Sequence, residues 1–160
     1  MQRWQLDVPP GILTRRIPRT FERLSKLVPP RVLAACWRTI WNGWCTDERF
    51  RNLEKRWWTK PCVLKCSTTA EDSIKHYARC PRILDFGRRY LGLDPGSCTL
   101  LRMLSGEAGL PDEMLIMHAI LMYSVFRTTS ALRHKEAVWN SMPRKTANMY
   151  VTLLVNKILP

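Results

Sequence analysis

Acidic side chains are scarce in this sequence. Thirteen Asp and Glu face twenty-six Lys and Arg, a formal net charge of +13 over 160 residues. No Asp-Asp pair is present to hold the metal ions of a nucleotidyl-transfer palm, so the chain is not expected to polymerise nucleic acid by itself. A Gly-rich phosphate loop and a Gly-x-Ser-x-Gly elbow are also missing, which argues against nucleotide hydrolysis and esterase chemistry. The opening Met1-Gln-Arg-Trp-Gln-Leu-Asp7 lacks the apolar stretch and small-residue cleavage site of a secretory leader. The longest apolar run, Met114 to Phe126, contains His118 and falls short of a bilayer's thickness. No membrane partner is therefore expected, and the run reads as a buried helix. Period-two alternation, internal repeats and low-complexity tracts are absent. The fold class expected is all-α.

The hydrophobic share of 46% is enough for a core. The basic excess is concentrated: residues 1–65 carry fourteen bases and five acids, net +9, and residues 66–160 carry twelve and eight, net +4. With a pI near 10.0, the first half presents a field suited to an anionic polymer, DNA or RNA above all. Arg outnumbers Lys, which favours bidentate phosphate contacts. A merely soluble basic surface is the competing reading.

Pro and Gly divide the chain into short helical pieces. Residues 1–18, with Pro9, Pro10, Gly11 and Pro18, read as an irregular arm. Residues 19–58 form a helical segment. Phe21, Leu24, Leu27 and Val28 keep helical spacing up to Pro29-Pro30; Val32, Leu33, Cys36 and Ile40 follow, stopping near Asn42-Gly43. Thr46 caps a third helix with Asp47 and Glu48 in its first turn, and Phe50, Leu53 and Trp57 are its expected apolar face. Thr69 with Asp72 reads as the start of a helix carrying Ile74 and Tyr77. Pro81 opens another, closed by Gly92. Residues 93–160 are expected to be helical too: Asp94-Pro95-Gly96-Ser97 is a turn, Pro111 starts the longest helix to about Leu132, and Pro143 starts a last one.

The most specific pattern lies in residues 59–92. Cys62 and Cys66 are separated by three residues, and nine more lead to His76 and Cys80. Three thiolates and one imidazole satisfy a tetrahedral Zn2+, and His76 and Cys80, at i and i+4, share one face if they lie on a helix. Lys60, Lys65, Lys75 and Arg79 offset the negative charge of such a site. Four protein ligands leave no open position, so the metal is expected to be structural. A Cys62–Cys66 disulfide, or free thiols beside an incidental histidine, is the alternative; without a secretory address, clustered cysteines more often hold metal. Cys36, Cys45 and Cys98 read as core or surface thiols. His118 and His134 carry no assigned role.

Around this pattern stand Pro29-Pro-Arg-Val, Arg38-Thr, Asn42-Gly-Trp-Cys-Thr46, Arg49-Phe50, Glu71-Asp-Ser-Ile-Lys-His-Tyr77 and Cys80-Pro81. Together, over about residues 19–91, they resemble the region downstream of the polymerase core in non-long-terminal-repeat retrotransposon reverse transcriptases. There, thumb-like helices precede a Cys-Cys-His-Cys zinc module. The resemblance implies a non-catalytic nucleic-acid-binding appendage whose helices track a template–primer duplex and whose zinc module positions target DNA or element RNA. It implies phosphate contacts from Arg38, Arg49, Arg51, Lys55, Arg56 and Lys60. Trp58 is the ring expected to stack on bases, while Trp57 reads as core. The polymerase portion of the same element is the implied protein partner, and the nucleus, before the cytoplasm, the implied location. Relatives carry a restriction-like nuclease further on; Pro111-Asp112 faintly matches one of its motifs, but no second acid follows at the right distance, and Asp112 reads as a helix N-terminal acid. Two other readings stand beside this one: a zinc-stapled helical module that binds an acidic protein, and a decayed retroelement remnant.

Overall fold

The computed structural model describes residues 9–55, 57–103, 107 and 109–135. The helix expected from Pro143 onward, and Arg56, lie outside the described residues. Among the described residues seven α-helices follow in order: α1 (Pro10–Leu27), α2 (Pro30–Ile40), α3 (Asp47–Glu54), α4 (Ile74–Tyr77), α5 (Pro81–Leu91), α6 (Leu100–Met103) and α7 (Asp112–His134). A 3₁₀ turn covers Pro95–Ser97. No strand occurs among the described residues, only an isolated antiparallel bridge between Pro61 and Glu71. The all-α expectation holds.

Helix α7 is the axis. Leu115, Ala119 and Met122 are buried, and so are Leu121, Val125, Thr128 and Leu132, so it carries core residues on several sides. Helices α1, α2, α5 and α6 all pack on it. At 23 residues it is long and apolar enough to cross a membrane by length and composition. It outruns the apolar stretch visible in the sequence because Thr128, Thr129 and Arg133 continue the same helix. Its buried His118, Ser124, Thr128 and Thr129 suit the central helix of a protein core.

Two helix boundaries differ from expectation for identifiable reasons. Residues 10–18 of the supposed arm are the first half of α1, and residues 1–8 lie outside the described residues. Leu13 and Ile17 extend the stripe of Phe21, Leu24 and Val28, and all five are buried, so tertiary burial outweighs the cost of Pro18 inside the helix. Pro9 and Pro10 lie at its start, where a missing N–H costs nothing. Helix α3 ends early: Lys55 takes a left-handed φ of 53° and its N–H bonds to the Arg51 carbonyl. The apolar face expected of α3 therefore has no partner, with Leu53 68% and Trp57 91% exposed. Trp57 is not a core residue.

Elsewhere the local chemistry works as anticipated. Asn42, at φ 51°, ends α2 in a Schellman motif, with Gly43 N donating to Arg38 O at 2.5 Å and Asn42 N to Thr39 O at 2.9 Å. A Cβ on Gly43 would sit 3.1 Å from the Arg38 carbonyl, which explains glycine there. The Thr46 hydroxyl caps α3 by accepting from Arg49 N.

Candidate metal centre

The stretch between α3 and α4 folds back on itself. Asp72 N donates to Lys60 O at 3.1 Å and Cys62 N to Ala70 O at 2.6 Å, pinning the two arms of a loop. At its tip Lys65 N donates to Cys62 O at 2.8 Å, and Lys65 adopts φ 53°. This tight turn brings Cys62 and Cys66 to one side. The third donor comes from α4, whose cap is Ser73 rather than Thr69: His76 N donates to Ser73 Oγ at 3.0 Å. The fourth, Cys80, does not share a helix with His76. Pro81 cannot continue α4, so the chain turns at Ala78 and Arg79, and Cys80 becomes the N-cap of α5. That position places its sulfur at a helix N-terminus, which favours a thiolate.

The outcome is a four-donor cluster. One ligand atom from each of Cys62, Cys66, His76 and Cys80 lies within 4.8 Å of the other three, and Cys66 Sγ is 3.1 Å from His76 Nε2. Sulfurs bound tetrahedrally at about 2.3 Å stand roughly 3.8 Å apart, so the donors need to close in by no more than about 1 Å. All six cysteines are free, which removes the Cys62–Cys66 disulfide.

The electrostatics fit a cation. The Cys80 thiol is lowered to about 5, first by the hydrogen bond from the Cys62 thiol and further by the backbone N–H groups of Arg82 and Ile83. Cys62 moves the other way, raised by that same hydrogen bond and by burial. Of the two, Cys80 is the readier to meet a divalent ion as a thiolate, and Cys62 would have to give up its proton on binding. Burial also raises Cys66.

A buried polar hub ties the centre to the helices. The Asp72 carboxylate, with its side chain 8% exposed, accepts from Asp47 N at 3.0 Å, from the Tyr77 hydroxyl, and from Arg133 Nη2 at 2.7 Å. Arg133 Nη2 also reaches the Tyr77 oxygen at 2.8 Å. Burial raises the Tyr77 phenol well above its ordinary range, keeping it a donor. The Asp47 carboxylate in turn accepts from Lys60 N at 2.8 Å. Trp44, fully buried, lies 5.8 Å from the Tyr77 ring and 5.6 Å from Phe126 of α7, with its indole N–H donating to Thr39 Oγ1 at 2.9 Å. The cysteine–histidine loop, the start of α3 and the end of α7 are one packed unit. Arg133 lies 61 residues from Asp72, and no local pattern announces the pairing.

The expected nucleic-acid contacts divide. Arg49, Lys55, Trp58 and Lys60 follow one another along α3 and the chain leading into the metal loop, with Lys55 and Lys60 exposed and Trp58 43% exposed. Arg51 instead pairs with Glu71, Nη2 to Oε1 at 2.5 Å. Arg38 sits on α2 with its guanidinium carbon 5.3 Å from the Phe126 ring centroid. Trp57, expected inside, is the most exposed large apolar residue among those described. Asp112 occupies the first turn of α7, as anticipated, and pairs with Arg23 at 2.5 Å. The chain matches no protein-family model, no curated protein and no solved structure.

Proposed function

We propose that the chain is a non-catalytic nucleic-acid-binding module stapled by Zn2+, related to the appendage downstream of the polymerase core in non-long-terminal-repeat retrotransposon reverse transcriptases. The carrying observation is the convergence of four protein donors beside an exposed basic and aromatic strip. Three thiolates and an imidazole are a donor set suited to Zn2+, and with all four positions supplied by protein the ion's contribution is cohesion. The net +9 of residues 1–65 gives the field that attracts phosphate. Trp57 and Trp58 beside Lys55 and Lys60 offer π-faces on which bases of DNA or RNA stack. The polymerase portion of the same element and the nucleus are the partner and location consistent with this role.

Exposed Leu53 and Phe50 favour a second reading, an acidic protein as partner. Salt titration of binding to labelled oligonucleotides separates the two. Nucleic-acid affinity falls by about 0.7–0.9 log units per contacted phosphate for each tenfold rise in salt. Charge reversal at Arg49 and Lys55 should flatten that dependence without loss of helix content. An oligonucleotide affinity too weak to measure at about 50 mM salt would leave the acidic-protein reading.

A further inference from the structure

Helix α1, which takes in residues 10–18 of the expected arm, carries a second charged surface. At about 100° per residue, Arg15, Arg16, Arg19, Arg23 and Lys26 fall within an arc of about 100° of α1. The buried stripe of Leu13, Ile17, Phe21 and Leu24 occupies another side. The basic arc runs about 16 Å along the axis at 1.5 Å per residue. Arg23 is paired with Asp112 and Lys26 with Glu22 at 4.0 Å. Arg15, Arg16 and Arg19 make no ion pair among the described residues. Arg16, Arg19, Thr20 and Arg23 also line a cleft facing Gly109 and Leu110, and Glu107, which shares the lining, is held by Arg102 at 2.5 and 2.9 Å.

Helix stability does not account for this arrangement. Arg15–Arg19 and Arg19–Arg23 are like-charge pairs at i,i+4, which destabilise a helix. Solubility asks for mixed signs rather than a one-sign stripe. The three arginines without an ion pair, Arg15, Arg16 and Arg19, span about 6 Å of helix axis, and three guanidinium groups side by side suit neighbouring phosphates along a backbone better than one free phosphate. We infer that the Arg15–Arg16–Arg19 stripe of α1 is a phosphate-backbone contact for nucleic acid, additional to the strip on α3 and the metal loop. It rests on the nucleic-acid reading above. It commits to sequence-independent contact, because arginines on an exposed helix face that touch phosphate read no bases.

The test uses the full, zinc-loaded chain with labelled single- and double-stranded DNA of arbitrary sequence, titrated between about 50 and 200 mM salt. The triple variant Arg15→Gln, Arg16→Gln, Arg19→Gln should weaken binding and make the log–log salt slope shallower by about 2 to 3, while Arg→Lys at the same three positions retains the slope. If the glutamine triple loses helix content, Arg19→Glu alone should still lower the slope by about 1. An unchanged slope in these variants, with a flattened one in Arg49→Gln/Lys55→Gln, overturns the α1 contact and leaves the nucleic-acid reading intact. Failure of the wild-type chain to bind either DNA, or a single-stranded RNA of the same length, removes both. Loss of capture by phosphatidylserine-rich vesicles in the triple variant, with unchanged DNA affinity, overturns the proposal in favour of a membrane surface.

Discussion

Replacing Asp72 by Asn keeps the shape of the side chain and removes its charge from beneath Arg133. The Arg133 side chain is 16% exposed and that of Asp72 8%, so the guanidinium left behind has little water to turn to. Removing one member of a buried ion pair costs about 3–5 kcal/mol. The residual exposure of Arg133 puts the expectation at the lower end, about 3 kcal/mol. For a chain of this size each kcal/mol moves the melting temperature by roughly 2–4 °C, so Asp72→Asn should lower it by about 6–12 °C. The assay is thermal unfolding of the zinc-loaded protein by circular dichroism. A double-mutant cycle with Arg133→Met isolates the pair: with both charges gone, at least about 1 kcal/mol of the loss should return. A shift below about 2 °C, or a coupling energy of zero, would refute the view that this hub joins the metal loop to α7.

Other expectations follow from single features. Cys45 is the exposed cysteine, whereas Cys36, raised to about 12 by burial, and buried Cys98 stay protonated at pH 8. A thiol reagent should therefore label the zinc-loaded protein rapidly at Cys45 alone, and a chelator should expose Cys62, Cys66 and Cys80; fast labelling of those three before chelation would contradict the metal assignment. Burial raises Cys36 from the ordinary thiol range to about 12, so its contribution to stability is full below that ordinary range and is lost as pH rises toward 12. Cys36→Ala should reduce that alkaline slope in denaturant melts. Pro18 interrupts α1 on its exposed side, so Pro18→Ala should stabilise by about 1–3 kcal/mol, and a lower midpoint in urea would mean that α1 is not continuous there. Trp57→Ala should change stability by less than about 0.5 kcal/mol while weakening single-stranded DNA binding; a large loss of stability would return this ring to the core.

Much of the metal centre was legible because its signal is chemical and local. The spacing of Cys62, Cys66, His76 and Cys80 singles out the four side chains that the structure brings within 4.8 Å of one another, without knowledge of the path between them. The path itself was less legible. His76 and Cys80 look like neighbours on one helix, but Pro81 imposes a break, and Cys80 serves as the cap of the next helix. Pro9, Pro10 and Pro18 suggested an arm because local breakers are easy to see. The stripe from Leu13 to Leu24 that overrides them becomes visible only when the apolar period is carried through a proline. Trp57 failed in the opposite direction, since extending the period of Phe50 and Leu53 assumed a helix that Lys55 ends. The contact between Asp72 and Arg133 depends on how α7 lies against the loop, and tertiary packing of that kind leaves no trace in spacing.

The proposed module depends on a single structural zinc held by Cys62, Cys66, His76 and Cys80. Elemental analysis of the purified protein, with and without His76→Ala, tests it most directly. One zinc per chain is expected in the wild type, lost in the variant together with a lower melting temperature. A wild type without metal, or a variant that keeps both its zinc and its melting temperature, would contradict it.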